Sequence, residues 1–198
     1  MRASRTTLPV LALAVALLAL AAPLVAASTS HKGWPEITGV LVMNKDDRSR
    51  PIDARPGKDL FGGKDPSYSC DGVHKKRCAG PDGSVIRSGH HELLGGHGSD
   101  TIHAGPQGDV IWGDYKPSGQ PASQVDRLHG GAGRDFIYAS HGTNVIRAGA
   151  GDDYVKAHFG KGIINCGPGN DLLYVSRRAQ KSYKIKNCET ISHKSLGY

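Results

Sequence analysis

The sequence predicts an all-β protein: a parallel β-solenoid of about five coils with a cap at each end. Three observations predict it. Cut after every ninth residue, Gly95 to Tyr174 falls into register as GGHGSDTIH and AGPQGDVIW, then, after an irregular piece, GGAGRDFIY, ASHGTNVIR, AGAGDDYVK, AHFGKGIIN and CGPGNDLLY. The eighth position is aliphatic in every copy: Ile102, Ile111, Leu128, Ile137, Ile146, Val155, Ile164 and Leu173. Small residues crowd the first four positions, and the sixth is usually Asp.

Each copy reads as a turn followed by a strand. Glycine supplies the positive-φ conformations and close backbone approach that a tight turn needs. The last three residues form a short strand whose middle side chain points to one face. One such strand cannot bury its aliphatic residue alone, whereas stacked copies bury a continuous ladder. Two copies make one coil, so turns alternate between two sides and same-side neighbours lie 18 residues apart.

This unit resembles the glycine-rich nonapeptide G-G-x-G-x-D-x-U-x of the RTX (haemolysin-type) calcium-binding family. The resemblance implies a right-handed parallel β-roll with Ca²⁺ between same-side turns, held by sixth-position carboxylates and turn carbonyls. Calcium takes six to eight oxygen ligands, which such turns can offer. Sorted by side, the sixth positions form two columns. One carries Asp109, Asp135, Asp153 and Asp171; the other carries Asp100, Asp126, Asn144 and Gly162. An amide is a weaker ligand for a hard cation than a carboxylate, and glycine offers no side chain. Calcium is therefore expected on the first side, with Asp100 and Asp126 as further candidates at the start of the second. The competing reading is that these Asp residues only cap turns.

Taken in order, the chain begins with Arg2 and Arg5, an apolar run from Leu8 to Val25, and Val25-Ala26-Ala27 before Ser28. That is the pattern of a secretory signal peptide over residues 1–27, with an uncleaved anchor as the alternative. Cleavage would leave no membrane span and a secreted, extracellular protein. Residues 28–78 are expected to cap the solenoid. Ile37 to Met43 reads as a strand, and Asn44 to Asp65 as a charged stretch broken by Pro and Gly. Residues 79–174 are the repeats, degenerate as far as Leu94. The string His91 to His97 is no zinc-protease motif, because Gly95 stands where the second His is required.

An insertion, Gly113 to Asp126, adds eight residues to one unit at a turn on the second side. It is either a binding loop or a tolerated surface loop. After Tyr174 the period is read as ending. Residues 175–198 are expected to supply a capping strand, Tyr183 to Lys186, and a basic tail. The four cysteines suit two disulfides in an oxidising compartment. Cys70–Cys78 would close a small loop, and Cys166–Cys188 would tie the capping strand down, stabilising by roughly 3 kcal/mol.

The formal charge of +7 is unevenly spread. Residues 95–174 carry six cationic against eight acidic side chains, and residues 175–198 carry six against one. RTX repeats are usually more acidic, which points to modest calcium affinity. A basic tail fits an anionic cell-surface polymer or a solvated surface, and nucleic acid is not expected. The ninth-position His103 and His129 are neighbours on one side and can stack, either as surface histidines, the favoured reading, or as a transition-metal site. The outward positions of the opposite sheet read Val110/Trp112, Phe136/Tyr138, Tyr154/Lys156 and Leu172/Tyr174, an aromatic face. Either the N-terminal region covers it or it binds a polysaccharide. No nucleophile–base pair stands out, so the expectation is a calcium-binding protein and not an enzyme; the alternative is a cell-envelope or polysaccharide adhesion module.

Overall fold

The computed structural model describes residues 33–35, 37–39, 41–44, 51–56, 68–69, 89–114, 121 and 123–194. The proposed signal peptide, the Cys70–Cys78 pair and the degenerate copy before Gly89 lie outside the described residues, as does half of the insertion.

Strands alternate between two sheets. The first holds β1 (Leu41–Asn44), β3 (Tyr68–Ser69), β4 (Glu92–Leu94), β6 (Val110–Trp112), β8 (Phe136–Tyr138), β10 (Tyr154–Ala157), β12 (Leu172–Val175) and β14 (Thr190–Ser192). The second holds β2 (Pro51–Asp53), β5 (Thr101–His103), β7 (Val125–His129), β9 (Thr143–Arg147), β11 (Lys161–Asn165) and β13 (Tyr183–Lys186). Every pairing is parallel except β1 with β3, and each sheet steps to the strand one coil on. The fold is a parallel β-solenoid of about five coils, as the nine-residue register requires.

The eighth positions are the core. All eight of these aliphatic side chains are fully buried. In the first sheet Val42, Leu93, Ile111, Ile137, Val155 and Leu173 stack in register. In the second, Ile52, Ile102, Leu128, Ile146 and Ile164 do the same. Each fully buried aliphatic side chain contributes about 1.5–3 kcal/mol. Close coil contact explains the small residues at the first position. A Cβ on Gly130 would run into the Ala148 carbonyl oxygen one coil on, and into the Asp135 carboxylate.

Both ends differ from the sequence reading. Pro51–Asp53, within the stretch read as broken loop, is a strand, and Ile52 lies on Ile102. Pro51 is tolerated because it is the first residue of its strand. At the other end the coil does not stop at Tyr174. Ile185 stacks on Ile164 and Ile191 on Leu173, which makes a further coil. Its division is uneven, because a helical turn, α1 (Arg177–Gln180), lengthens one half. Ser176 caps α1 by accepting the Ala179 N–H at 3.1 Å. The other half is shortened to Asn187, Cys188 and Glu189, and Cys188 is bridged to Cys166. The expected strand and disulfide are both present, as part of the solenoid itself.

On the outer face of the first sheet, Trp34 packs against Val110, Phe136 and Tyr138. Its Nε1 donates to the Tyr138 hydroxyl at 2.7 Å, and Trp112 stacks on Tyr138 with ring centroids 4.0 Å apart. The middle of the aromatic face is therefore covered by the N-terminal region. On the second sheet His103 and His129 stack at 4.4 Å, as their shared ninth position predicts. Burial first, then the charges of His103 and Arg147, push His129 down to about 4, so it is neutral at pH 7.

Candidate metal centre

The first-side column is a ladder of buried carboxylates. Asp109, Asp135, Asp153 and Asp171 are each at most 1% exposed. One oxygen of each accepts the backbone N–H of the sixth-position residue one coil earlier. His91 donates to Asp109 Oδ1 at 2.6 Å, Asp109 to Asp135 Oδ1 at 2.7 Å, Asp135 to Asp153 Oδ1 at 2.8 Å, and Asp153 to Asp171 Oδ1 at 2.8 Å. The insertion does not break the column: Asp109 and Asp135 are 26 residues apart, the other two steps 18. Hydrogen bonds to a charged acceptor are each worth about 1.5–3 kcal/mol, so these stitch coil to coil.

The second oxygens separate the turns into two kinds. Asp109 Oδ2 accepts the Gly105 N–H and Asp135 Oδ2 the Gly131 N–H, both at 2.6 Å. Asp153 Oδ2 and Asp171 Oδ2 are buried and have no hydrogen-bond donor. Backbone conformation makes the difference. Gly149 and Gly167, at the equivalent positions, have φ of 117° and 113°. Their N–H groups point to the next coil instead, to Cys166 O at 3.0 Å and Asn187 O at 3.3 Å. A further oxygen lacks its ladder donor nearby. Ala150 donates to Gly131 O at 3.0 Å, but one coil on the equivalent residue is Pro168, which has no N–H for the Gly149 carbonyl.

These carboxylates repel one another in a dry column. Burial raises Asp135 to about 8, opposed by the Gly131 and Asp109 N–H bonds and reinforced by the Asp153 and Asp109 charges. Burial also raises Asp153 to about 7, opposed by the Asp135 N–H, with Asp171 and Asp152 adding repulsion. Asp109 and Asp171 move the same way, again chiefly through burial.

The second side is built differently. Asp126 Oδ1 accepts the Asp100 N–H at 2.7 Å, as on the first side. Its Oδ2, however, already accepts the Ser140 hydroxyl and, at 3.2 Å, Gln124 Nε2. Asp126 rises only to about 6, because burial is opposed by those bonds. One coil on, Asn144 Oδ1 accepts the Ser140 N–H at 2.9 Å, and Asn144 Nδ2 donates to the Tyr183 hydroxyl at 3.0 Å. That hydroxyl donates in turn to Phe159 O at 2.7 Å. Tyr183 is in register with Gly162, and Gly160 leaves room for the phenol, because a Cβ there would meet the Tyr183 hydroxyl. The second side is thus closed by a hydrogen-bonded chain from Asp126 to Phe159. At the base of the insertion, Asp114 holds Gln124 Nε2 at 2.7 Å and the His141 N–H at 2.8 Å.

Residues 92–114 and 123–155 match the family model of the RTX calcium-binding nonapeptide repeat, in four copies. The repeats at those residues are similar to RTX repeats. No curated protein and no solved structure matches the chain. The RTX match contains Asp100, Asp109, Asp126, Asp135 and Asp153, and the same carboxylate ladder runs on past it to Asp171.

The donor set tests the fit to calcium. Among the described residues, no three His, Cys, Asp or Glu side chains form a ready metal-binding group. Each first-side turn contributes one sixth-position carboxylate, and the Asp153 turn adds Asp152, so other ligands must be backbone oxygens and water. Oxygen-only donors suit a hard cation and not a thiolate- or imidazole-seeking metal. The fit is best at the Asp153 and Asp171 turns, where buried carboxylate oxygens have no donor. It is poorest at Asn144 and Gly162. The sequence sorted these columns, but not the turns within the first side, nor Glu189. Glu189 accepts the Asp171 N–H at 2.9 Å, 18 residues on. Reading Glu189-Thr190-Ile191-Ser192 as positions six to nine would have found it.

Proposed function

We propose that this protein is a secreted calcium-binding module in which Ca²⁺ acts structurally, between first-side turns of the solenoid. Asp109, Asp135, Asp153 and Asp171 carry the site, and Asp153 and Asp171 are its strongest part. The observation that carries the reading is the pair of buried Oδ2 atoms without a donor, on RTX-type turns whose glycine N–H groups point elsewhere. A buried carboxylate oxygen without a partner costs several kcal/mol if charged, and a cation offsets that cost. In the metal-free protein burial raises Asp135 to about 8 and Asp153 to about 7, so near pH 7 both carry protons for much of the time. Calcium would displace those protons and clamp adjacent coils, adding binding free energy to folding free energy. We assign the protein no catalytic role.

Secretion is supported by the N-terminal charged and apolar pattern of residues 1–27. Among the described residues, no helix is long and apolar enough to cross a membrane. The test is calorimetric titration of calcium into the mature protein, with circular dichroism in parallel. Heat of binding with a rise in melting temperature is expected; absence of both overturns the reading.

A further inference from the structure

The Asp171 and Glu189 turns are unlike in build but joined. A glycine-bearing turn, Cys166 to Asp171, precedes β12, whereas Asn187, Cys188 and Glu189 alone separate β13 from β14. The short turn is held in three ways. Asn187 takes a left-handed φ of 49°, its Nδ2 donates to Asn165 Oδ1 at 2.8 Å, and Cys188 is bridged to Cys166. Because Cys166 opens the turn that ends in Asp171, the disulfide ties together the two turns that carry these carboxylates. Glu189 Oε2 repeats the ladder bond, accepting the Asp171 N–H at 2.9 Å. Asp171 Oδ2 is buried with no donor, on a side chain 1% exposed. After burial, the charges of Glu189 and Asp152 push the Asp171 carboxyl up, and a side-chain hydrogen bond with Glu189 adds to the rise. Two carboxylates therefore meet at this end of the column, and the family match stops short of both, at residue 155.

We propose that Glu189 is a calcium ligand, completing a terminal site with Asp171, and that the Cys166–Cys188 disulfide holds it in place; this rests on the calcium reading above. A glutamate is one methylene longer than an aspartate, which gives its carboxylate reach from a turn that lacks glycines. Two carboxylates, turn carbonyls and water make an oxygen set suited to Ca²⁺. The disulfide acts by pre-organisation. Without it the short turn must be ordered on binding, and that entropy opposes the ion. Calcium occupancy at this end then depends on the oxidation state of the cysteine pair.

The experiment is calorimetric titration of calcium chloride into the full mature chain, its Glu189→Gln variant and a Cys166→Ser/Cys188→Ser variant. Glutamine keeps an oxygen to accept the Asp171 N–H but removes the charge, so a purely structural role survives it. Glu189→Gln is expected to bind one ion fewer, or one ion about tenfold more weakly, with its calcium-free melting temperature unchanged. The serine variant should weaken the same ion by about three- to tenfold. If the serine variant does not fold, the parent chain under reductant takes its place. A Glu189→Gln titration that superimposes on the parent overturns the proposal, as does a loss confined to the serine variant or the reduced chain. A parent chain that binds no calcium removes the underlying reading, a result distinct from either.

Discussion

The two sides of the solenoid begin from the same nonapeptide and solve the same problem differently. Each must hold turns together at a sixth position buried between coils. The first side does it with carboxylates, whose Oδ1 atoms bond the coil before and whose Oδ2 atoms are left, at Asp153 and Asp171, without a donor. The second does it with neutral groups. Asn144 and Gly162 replace the carboxylates, and Tyr183 fills the space and closes the hydrogen bonds. The first side leaves two carboxylate oxygens for a cation; the second, from Asp126 to Phe159, is closed by its own hydrogen bonds. A buried polar column is tolerated only when every member is satisfied, by protein or by ligand.

The largest effect should come from breaking the first side. Asp153 lies between two same-side carboxylates, so Asp153→Ala removes an oxygen from both neighbouring turns. With calcium at about 100 times Kd, bound ion stabilises the parent by about 2.7 kcal/mol, and the variant should lose most of it. Asn144→Ala should leave the calcium-dependent rise in melting temperature intact, whatever it does to the baseline. Equal losses of that rise in both variants would sink the one-sided account.

Tyr183→Phe is the converse. It strips the donor from Phe159 O and the acceptor from Asn144 Nδ2. Leaving buried groups unsatisfied costs about 1–3 kcal/mol, and here the cost should be the same with calcium or with chelator. Denaturant unfolding under both conditions checks it; a calcium-dependent difference would mean that the sides are coupled.

Acidity separates the sides further. Asp135 at about 8 and Asp153 at about 7 lie well above the unfolded carboxylate value of about 3.9. The calcium-free fold therefore binds more protons than the unfolded chain between about pH 4 and pH 8, and its stability falls as pH rises through that window. On the second side Asp126, at about 6, completes its part of the loss by about pH 7. A fall in chelated-protein stability from about pH 7 to 8 should thus report the first side, and Asp135→Asn should flatten it. Over the same window calcium displaces fewer protons, so its stabilising effect should grow. A calcium effect that does not vary with pH there would contradict the assignment.

The smallest effect is expected away from both columns. Trp34→Phe loses the bond to the Tyr138 hydroxyl and uncovers part of the aromatic face, costing about 1 kcal/mol without touching the calcium response. Loss of calcium binding in that variant would show that the N-terminal region reaches the turns.

What the sequence determined by itself was whatever repeats. A nine-residue period with one invariant aliphatic position admits one way to bury Ile102 through Leu173, and the sorting of Asp109, Asp135, Asp153 and Asp171 from Asn144 and Gly162 follows by counting. The neighbouring places of His103 and His129 were legible for the same reason, and the Cys166–Cys188 pairing from the capping strand that it would tie down. What only the tertiary structure decided lies where the period breaks. Pro51–Asp53 and Thr190–Ser192 join the sheets because coils already formed present a ladder edge for them to pair with. Glu189 enters the column because α1 lengthens one half-coil and the bridged turn shortens the next. Which carboxylate oxygens are left for a cation depends on the φ of Gly149 and Gly167. Those are set by contacts between neighbouring coils, and a linear pattern does not contain them.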